Sequence, residues 1–332
     1  MVLNYIGSKK TLSPRLVEQI TKHWTDLANW SFCDIFAGTG SVSIAMAPHV
    51  KDIIVNDWEL FSNYILKAQF NSPPNHLQLV TELNNATPTT GTITLTYSEA
   101  SGRLFFTTLN AQRIDGIREA LRDKKYSDQE RNYLIGVLVS AADSVANVAS
   151  IYGAFLKDYK PSATNLLNLR VIPPSTKKAK VLQMDSQQLY ANPEHITQNT
   201  LLYIDPPYNQ RQYGANYFPL NAIADIYSNS LEVKGITGIP VSGYNKSTFS
   251  SAKTAQQSLT DIVKGTIARR IALSYNDEGI LSHDQIASIF TENGWYFKRI
   301  QIPYKRFASQ RDLEPDTMEY LFLAEKNNLI YK

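Results

Sequence analysis

Short apolar runs alternate with amphipathic segments through the first 70 residues of the chain. Apolar residues recur at intervals of four from Leu12 to Trp24, which predicts a helix over residues 11–30. The next segments predict strand, helix, strand and helix in turn: SFCDIF (31–36), SVSIAMA (41–47), DIIVND (52–57) and WELFSNYILKAQF (58–70). This alternation is typical of an α/β domain with a parallel sheet between layers of helices.

The pattern changes at residue 71. The chain becomes rich in Pro, Thr and Asn, then reads as mostly helical over 110–150, and continues as a basic loop over 157–180. Alternation resumes with strands predicted at 180–185, 201–205, 271–276 and 319–326 and a helix near 283–290. We therefore expect one α/β domain formed by residues 1–70 and 181–332, with residues 71–180 as an inserted, mostly helical lobe.

The composition is that of a folded soluble protein, with 43% apolar and 19% charged residues among 332. A single cysteine, Cys33, excludes an intramolecular disulfide and a thiolate-cluster metal site. The five histidines show no spacing typical of metal ligands. No apolar run approaches the roughly 20 residues of a membrane span, and the amino terminus is not that of a signal peptide. We expect a cytoplasmic protein without a metal.

Positive charge is concentrated in two stretches. Residues 157–180 carry six Lys or Arg and one acid, and residues 295–311 carry five bases and no acid among several aromatic residues. Such stretches are typical of contacts with the phosphate backbone of a nucleic acid. A solvated basic surface would have the same composition, and either stretch alone leaves both readings open.

The segment LLYIDPPYNQ (201–210) joins a buried strand to an acid, two prolines and a tyrosine. The prolines lack an N–H group and fix φ, so the strand must stop at Asp205. In an open parallel sheet, ligands bind outside the carboxyl ends of the strands, where Asp205 and Tyr208 would then lie. Taken alone, the pair of prolines favours a simple strand end with an incidental acid.

The segment DIFAGTGS (34–41) places Gly38 and Gly40 between a strand and a helix. Glycine admits positive φ there and lets a ligand approach the backbone. The next strand ends in Asp57, and an acid in that place can accept both hydroxyls of an adenosine ribose. The pair predicts a nucleoside cofactor, while a serine in place of the third glycine of GxGxxG argues against a dinucleotide.

With FAGTG, VND and DPPY in this order, the sequence resembles the adenine-specific DNA methyltransferases that use S-adenosyl-L-methionine. More narrowly, it resembles the Dam-related, D12-class enzymes of the alpha group, over nearly the whole chain except much of 71–180. The resemblance implies a Rossmann-like methyltransferase sheet, with 71–180 as a target-recognition domain. It also implies a monomer that acts on double-stranded DNA in a restriction-modification system, beside a separately acting restriction endonuclease.

The resemblance also implies which residues bind and react. The cofactor-binding positions are Tyr5, Gly7, Lys9, Asp34, Phe36, Gly38, Gly40, Asp57, Trp58 and Asp185, with Lys9 neutralising the methionine carboxylate. The catalytic positions are Asp205, Pro206, Pro207 and Tyr208. Asn276 matches the family's position beside the target base. Residue type and place in the chain, rather than the resemblance, suggest five further DNA contacts: Arg103, Arg113, Lys157, Tyr213 and Lys246. A packing role for Tyr213 and a plain surface loop around Lys246 are the alternatives.

The chemistry of the reaction explains the composition of DPPY. The lone pair of the adenine N6 amine is delocalised into the ring, so the amine is a poor nucleophile. Asp205 and the main-chain carbonyl of Pro206 can accept its two hydrogens and make the lone pair available, while Tyr208 stacks on the flipped base. Transfer to N4 of cytosine, to RNA or to a protein amide is an alternative, as is a catalytically decayed DNA-binding protein.

Overall fold

The computed structural model describes residue 3, residues 7–304 and residues 317–326. In chain order its helices are α1 (Ser13–His23), α2 (Ser41–Met46), α3 (Leu60–Phe70), α4 (His76–Leu83), α5 (Thr92–Tyr97), α6 (Thr108–Ala120), α7 (Asp128–Ser144), α8 (Ser186–Leu189), α9 (Tyr213–Ala224), α10 (Ala255–Gly265) and α11 (His283–Glu292). Its strands are β1 (Ser31–Asp34), β2 (Asp52–Asn56), β3 (Lys180–Leu182), β4 (Thr200–Ile204), β5 (Val233–Lys234), β6 (Ile239–Pro240), β7 (Arg270–Asn276), β8 (Trp295–Tyr304) and β9 (Thr317–Lys326).

The chain divides into two compact units. The sheet unit comprises residues 9–58, 182–211 and 247–332, and the helical unit comprises residues 1–8, 59–181 and 212–246. The middle segment of the helical unit starts at residue 59, whereas the sequence predicts a lobe that starts at 71, and residues 212–246 are grouped with it as well. Close packing explains the earlier start, because α7 passes α3 at Gly136, where a Cβ atom would lie 2.4 Å from the carbonyl oxygen of Tyr64.

The large sheet has the strand order β3-β2-β1-β4-β7-β9-β8. Strands β2, β1, β4 and β7 are parallel to one another, whereas β9 runs antiparallel to both β7 and β8. Crossovers on both sides of β1 make this a doubly wound α/β sheet, as the alternating pattern predicts.

The two faces of the sheet differ in chemistry. One face carries Cys33, Leu202, Leu273 and other apolar side chains, which pack in a core with α8, α10 and α11. The opposite face carries Asp34 on β1, whose strand partner is Tyr203 on β4. Farther along, Ser274 on β7 and Glu319 on β9 follow the same alternation, so several polar side chains share this face.

Two segments differ from their predicted structure. The helix predicted over 11–30 ends at His23, because Trp24 is extended. The β-branched run TITLTY lies where the predicted strand–helix alternation is interrupted, yet it forms helix α5, because Asp115 accepts the backbone N–H groups of Gly91, Ile93 and Thr94. Among the described residues, no helix combines the length and apolar character needed to cross a membrane.

Candidate active site

Polar residues follow or end four adjacent parallel strands of the sheet unit. Asp57 follows β2, Asp34 ends β1, Asp205 follows β4 and Asn276 ends β7. Because these strands are neighbours and run in the same direction, their carboxyl ends lie at one edge of the sheet. This is the edge at which open α/β sheets bind ligands.

The glycine turn after β1 has the backbone geometry that the sequence predicts. Gly38 and Gly40 have φ values of 53° and 74°, a region that residues with a Cβ atom rarely adopt. The N–H group of Gly38 donates to the carboxylate of buried Asp57 at 2.8 Å. The acid at the end of β2 therefore contacts the glycine turn directly.

Asp34 holds the same turn from β1. Its carboxylate accepts the hydroxyl of Ser43 at 2.7 Å and the N–H group of Phe36 at 3.3 Å. Burial raises the pKa of Asp34 to about 7, against the lowering effect of the Ser43 hydrogen bond. Asp34 is thus buried and braces the turn.

Asn56 joins the ends of three strands, which the sequence analysis missed. Its amide donates to the carbonyl groups of Ile35 and Met184, and its oxygen accepts the N–H group of Met184 at 3.0 Å. The available signal was an amide side chain directly after the apolar run of residues 53–55. An amide that is buried with such a strand is nearly always hydrogen-bonded.

Asp205 lies in a buried ion cluster. Lys9 Nζ is 2.9 Å from Asp205 Oδ1 and 3.2 Å from Glu319 Oε1. The side chains of Asp205 and Glu319 are 14% and 1% exposed. The hydroxyl of Ser274 also donates to Glu319, at 2.5 Å.

The cluster sets the proton affinities of its members. Burial raises the pKa of Asp205 to about 6, although the Lys9 ammonium opposes this rise. Glu319 adds a second negative charge and raises the pKa of Asp205 further. Burial by itself would lower the pKa of Lys9, but the Asp205 and Glu319 carboxylates outweigh burial and raise it well above its ordinary value.

The remaining DPPY residues follow β4 as a segment without regular secondary structure. Pro206 is buried, and Pro207 and Tyr208 are half-buried. The carbonyl oxygen of Tyr208 accepts the N–H group of Ile280 at 2.9 Å. Lys9 Nζ is 5.5 Å from the centre of the Tyr208 ring, so the tyrosine borders the ion cluster.

The other expected cofactor residues have varied surroundings. Gly7 has a φ of 71°, Trp58 is half-buried, and the half-buried ring of Phe36 contacts Phe249 edge-on. Asp185 caps α8 by accepting the N–H group of Gln187. Tyr5 lies outside the described residues.

The expected DNA contacts fall into two groups by exposure. Lys157 and Lys246 are exposed. Arg103 instead donates to the carbonyl groups of Gly235, Ile236 and Thr96, and Arg113 to those of Leu167 and Asn84, so both guanidinium groups brace the helical unit.

Tyr213 and Asn276 have partners in their own surroundings. Tyr213 begins α9 and stacks on Tyr217 with 6.1 Å between ring centres. Asn276 is buried, and its side-chain oxygen accepts the N–H group of Glu278. The part of the basic stretch 295–311 beyond residue 304 lies outside the described residues.

The sequence analysis also missed Glu319 and Ser274. The available signal for Glu319 was its phase along β9, because it lies two residues before Leu321 and four before Leu323 and therefore shares their buried face. Within residues 7–304 and 317–326, no three His, Cys, Asp or Glu side chains are grouped so that they could hold a metal ion.

The doubly wound sheet, with its glycine turn and its acids at one edge, defines an α/β enzyme of the Rossmann-like methyltransferase type. Residues 5–288 match the family model described as D12 class N6 adenine-specific DNA methyltransferase. The chain belongs to this family. It is a site-specific DNA methyltransferase that acts on N6 of adenine.

Three relatives support this assignment. The Type II methyltransferase M.NlaIII of Neisseria lactamica is 36% identical, over 98% of this chain and 99% of that protein. The Type II methyltransferase M.CviAII of Paramecium bursaria Chlorella virus 1 is 34% identical, over 97% and 98%. The Type II methyltransferase M.FokI of Planomicrobium okeanokoites is 31% identical, over 98% of this chain but 53% of that protein. The first two similarities therefore extend over the whole length of both proteins.

Proposed function

We propose that the carboxyl edge of the sheet unit binds S-adenosylmethionine and an adenine turned out of duplex DNA, and that Asp205 presents the adenine amine to the methyl group. The observation that supports this most directly is the placement of Asp57, Asp34 and Asp205 at the ends of three adjacent parallel strands. Acid groups at this edge can accept hydrogens from both ligands.

The residues at the glycine turn suit the proposed cofactor. The positive φ angles of Gly38 and Gly40 leave backbone without side chains at the strand end, where a ligand can approach. Asp57 accepts the ribose hydroxyls, Asp185 the adenine amine of the cofactor, and Trp58 lies against its ring. When bound, S-adenosylmethionine supplies a methyl group on a positively charged sulfur.

Lys9 has a second function in this proposal. An ammonium group has three N–H donors, of which Asp205 and Glu319 account for two. The third donor is available for the methionine carboxylate. Tyr5 and Gly7 precede Lys9 in the segment that we propose binds the cofactor.

Asp205 and the carbonyl group of Pro206 each accept one hydrogen of the target amine, which directs the nitrogen lone pair at the methyl carbon. Tyr208 provides a flat surface for the extruded base. Asn276, at the end of the adjacent strand β7, borders the same base. We assign target recognition to the helical unit, with the exposed Lys157 and Lys246 on phosphate groups.

The test uses purified protein, S-adenosylmethionine with a labelled methyl group, and unmethylated plasmid DNA. We expect label in N6-methyladenine at one short sequence, found by nucleoside analysis and sequencing. Label in N4-methylcytosine, or no label in the DNA, would contradict the proposal. A duplex with 2-aminopurine at the target adenine tests extrusion, because its fluorescence should rise on binding and should stay quenched if the base remains stacked.

Sedimentation of the active protein tests the expected monomer. A separately acting restriction endonuclease remains a prediction about its partners. The prediction requires a nuclease that cleaves the same recognition sequence when its adenine is unmethylated and leaves it intact when the adenine carries the N6-methyl group.

A further inference from the structure

Glu319 is a buried acid with no role in the reaction as described so far. It lies on β9, its side chain is 1% exposed, and its Oε1 atom is 3.2 Å from Lys9 and 2.5 Å from the Ser274 hydroxyl. Its Oε2 atom is buried and has no hydrogen-bond partner among the described residues. A half-satisfied buried carboxylate destabilises a fold, and an apolar residue of similar size would pack there at lower cost.

The position of Glu319 relative to Asp205 suggests why an acid is present. Both carboxylates contact the same ammonium group, that of Lys9, and all three side chains are largely shielded from solvent. An ammonium shared between two carboxylates holds each of them less tightly than it would hold one alone. Asp205 must keep acceptor capacity for the target amine, and a tight, exclusive ion pair with Lys9 would reduce that capacity.

We propose that Glu319 is a positioning residue for methyl transfer, which shares the Lys9 ammonium with Asp205 and thereby leaves Asp205 able to accept hydrogen from the adenine amine. This inference rests on the proposed function of Asp205. Ser274 supports Glu319 in this role, because its hydroxyl fixes the oxygen that faces Lys9.

The titratable groups around Asp205 determine the pH dependence. They are Lys9 before α1, Asp34 at the end of β1, Tyr203 on β4, Tyr208 in the DPPY turn and Glu319 on β9. Of these, Glu319 raises the pKa of Asp205 and Lys9 lowers it. Removing the charge of Glu319 should therefore lower the pKa of Asp205 and strengthen its pairing with Lys9.

The test is the single-turnover rate of methyl transfer as a function of pH, measured for the wild type and Glu319→Gln. We expect the variant to be slower by about tenfold at neutral pH, and the acid limb of its profile to move to lower pH by about one unit. Binding of S-adenosylmethionine, measured by calorimetry, should change by less than about twofold, since Glu319 is assigned no cofactor contact. A structural role alone would alter stability and binding but would leave the acid limb in place.

Glu325→Gln is the matched control. Glu325 lies on the same strand, pairs with Arg270 at 3.1 Å, and is 47% exposed at the end of β9 remote from Glu319. The Glu325→Gln substitution removes the same charge as Glu319→Gln. We expect the acid limb of its pH–rate profile to stay at the wild-type position. Glu319→Asp, which keeps the charge but withdraws it from Lys9, should shift the limb in the same direction by a smaller amount. If Glu319→Gln does not fold, the acid limb of Glu319→Asp tests the positioning role in its place.

An acid limb that stays at its wild-type position in every folded Glu319 variant would overturn the inference. The proposed function would still stand in that case, because the wild type would have produced N6-methyladenine. A wild type that transfers no methyl group would instead overturn the proposed function.

Discussion

At the scale of single residues, Asp205 is the side chain on which methyl transfer should depend most. Asp205→Asn replaces the charged acceptor of the amine hydrogen with a neutral amide, whose oxygen is a weaker acceptor and whose NH2 group cannot accept. It leaves Lys9 paired with Glu319 at 3.2 Å, so the buried cluster retains a balanced ion pair. We expect the single-turnover rate to fall by about 10²-fold or more, with the melting temperature and cofactor affinity nearly unchanged.

Asp284→Asn provides the comparison for that variant. Asp284 is in the same unit and its side chain is 99% exposed, so the same chemical change there should leave the rate intact. Near-wild-type turnover by Asp205→Asn would refute the mechanism assigned to DPPY.

Asp34 should make the stability of the protein depend on pH. In the unfolded chain its pKa is near 3.8. In the folded protein the pKa is about 7, because burial disfavours the carboxylate. The unfolded chain therefore loses its proton first as pH rises from about 4 to 7, and the free energy of unfolding falls across that window. We expect a loss of about 4 kcal/mol, at 1.36 kcal/mol for each pKa unit.

Asp34→Asn removes this ionisation and should flatten the pH dependence of unfolding between pH 4 and 7. Urea unfolding at pH 5 and pH 7.5, without cofactor, measures it for both proteins. Because the amide also changes the hydrogen bonds to Ser43 and Phe36 at every pH, the slope is the test and the absolute stability is not. Equal slopes for the two proteins would show that Asp34 ionises normally.

At the scale of elements, the contact between α3 and α7 depends on a glycine. A Cβ atom on Gly136 would lie 2.4 Å from the Tyr64 carbonyl oxygen and 2.8 Å from the Cβ atom of Ala68. Gly136→Ala must therefore push the helices apart, and we expect it to lower the free energy of unfolding by about 1–3 kcal/mol. At Gly153 the nearest atom would be 3.7 Å away, so Gly153→Ala should change stability by less than about 0.5 kcal/mol. Equal effects of the two substitutions in urea unfolding would contradict this account of the helix contact.

The strands that carry the site were predictable because each is a short apolar run that stops at a polar residue. Strands β1, β2, β4 and β7 all lie within a few residues of their expected limits. Helix α5 was not predictable, because TITLTY favours a strand locally and its helix depends on Asp115, which lies farther along the chain. Strand β8 was not predicted for a different reason, since its basic and aromatic residues are also typical of a surface that contacts nucleic acid.

In the site, too, features set by local sequence were predictable and those that depend on distant residues were not. The glycine turn and DPPY are local motifs, and a local sequence can specify them. The cluster of Lys9, Asp205 and Glu319 joins residues from both ends of the chain, and no spacing in the sequence relates them. Arg103 and Arg113 stay predicted DNA contacts, but residue type alone did not reveal that their guanidinium groups also donate to main-chain carbonyl groups within the protein.

At the scale of the whole molecule, the charge available to DNA differs from the charge in the sequence. The formal net charge is +3, but binding depends on cations that remain exposed, such as Lys157 and Lys246. Each phosphate contact releases counterions, so it adds about 0.9 to the slope of log K against log salt concentration. If both lysines contact phosphate groups, Lys157→Gln with Lys246→Gln should reduce the magnitude of the slope by about two and weaken binding to all sequences alike.

Fluorescence anisotropy with duplexes that contain or lack the methylated sequence, at several salt concentrations, measures this slope. Lys125→Gln is the control, because Lys125 is also exposed in the helical unit but pairs with Glu82 at 2.6 Å. Its slope should match that of the wild type. A double variant that keeps the wild-type slope would exclude both lysines from the phosphate contacts. One that loses discrimination between the duplexes at an unchanged slope would mean that the two lysines read bases, since base contacts carry sequence specificity whereas phosphate contacts fix position.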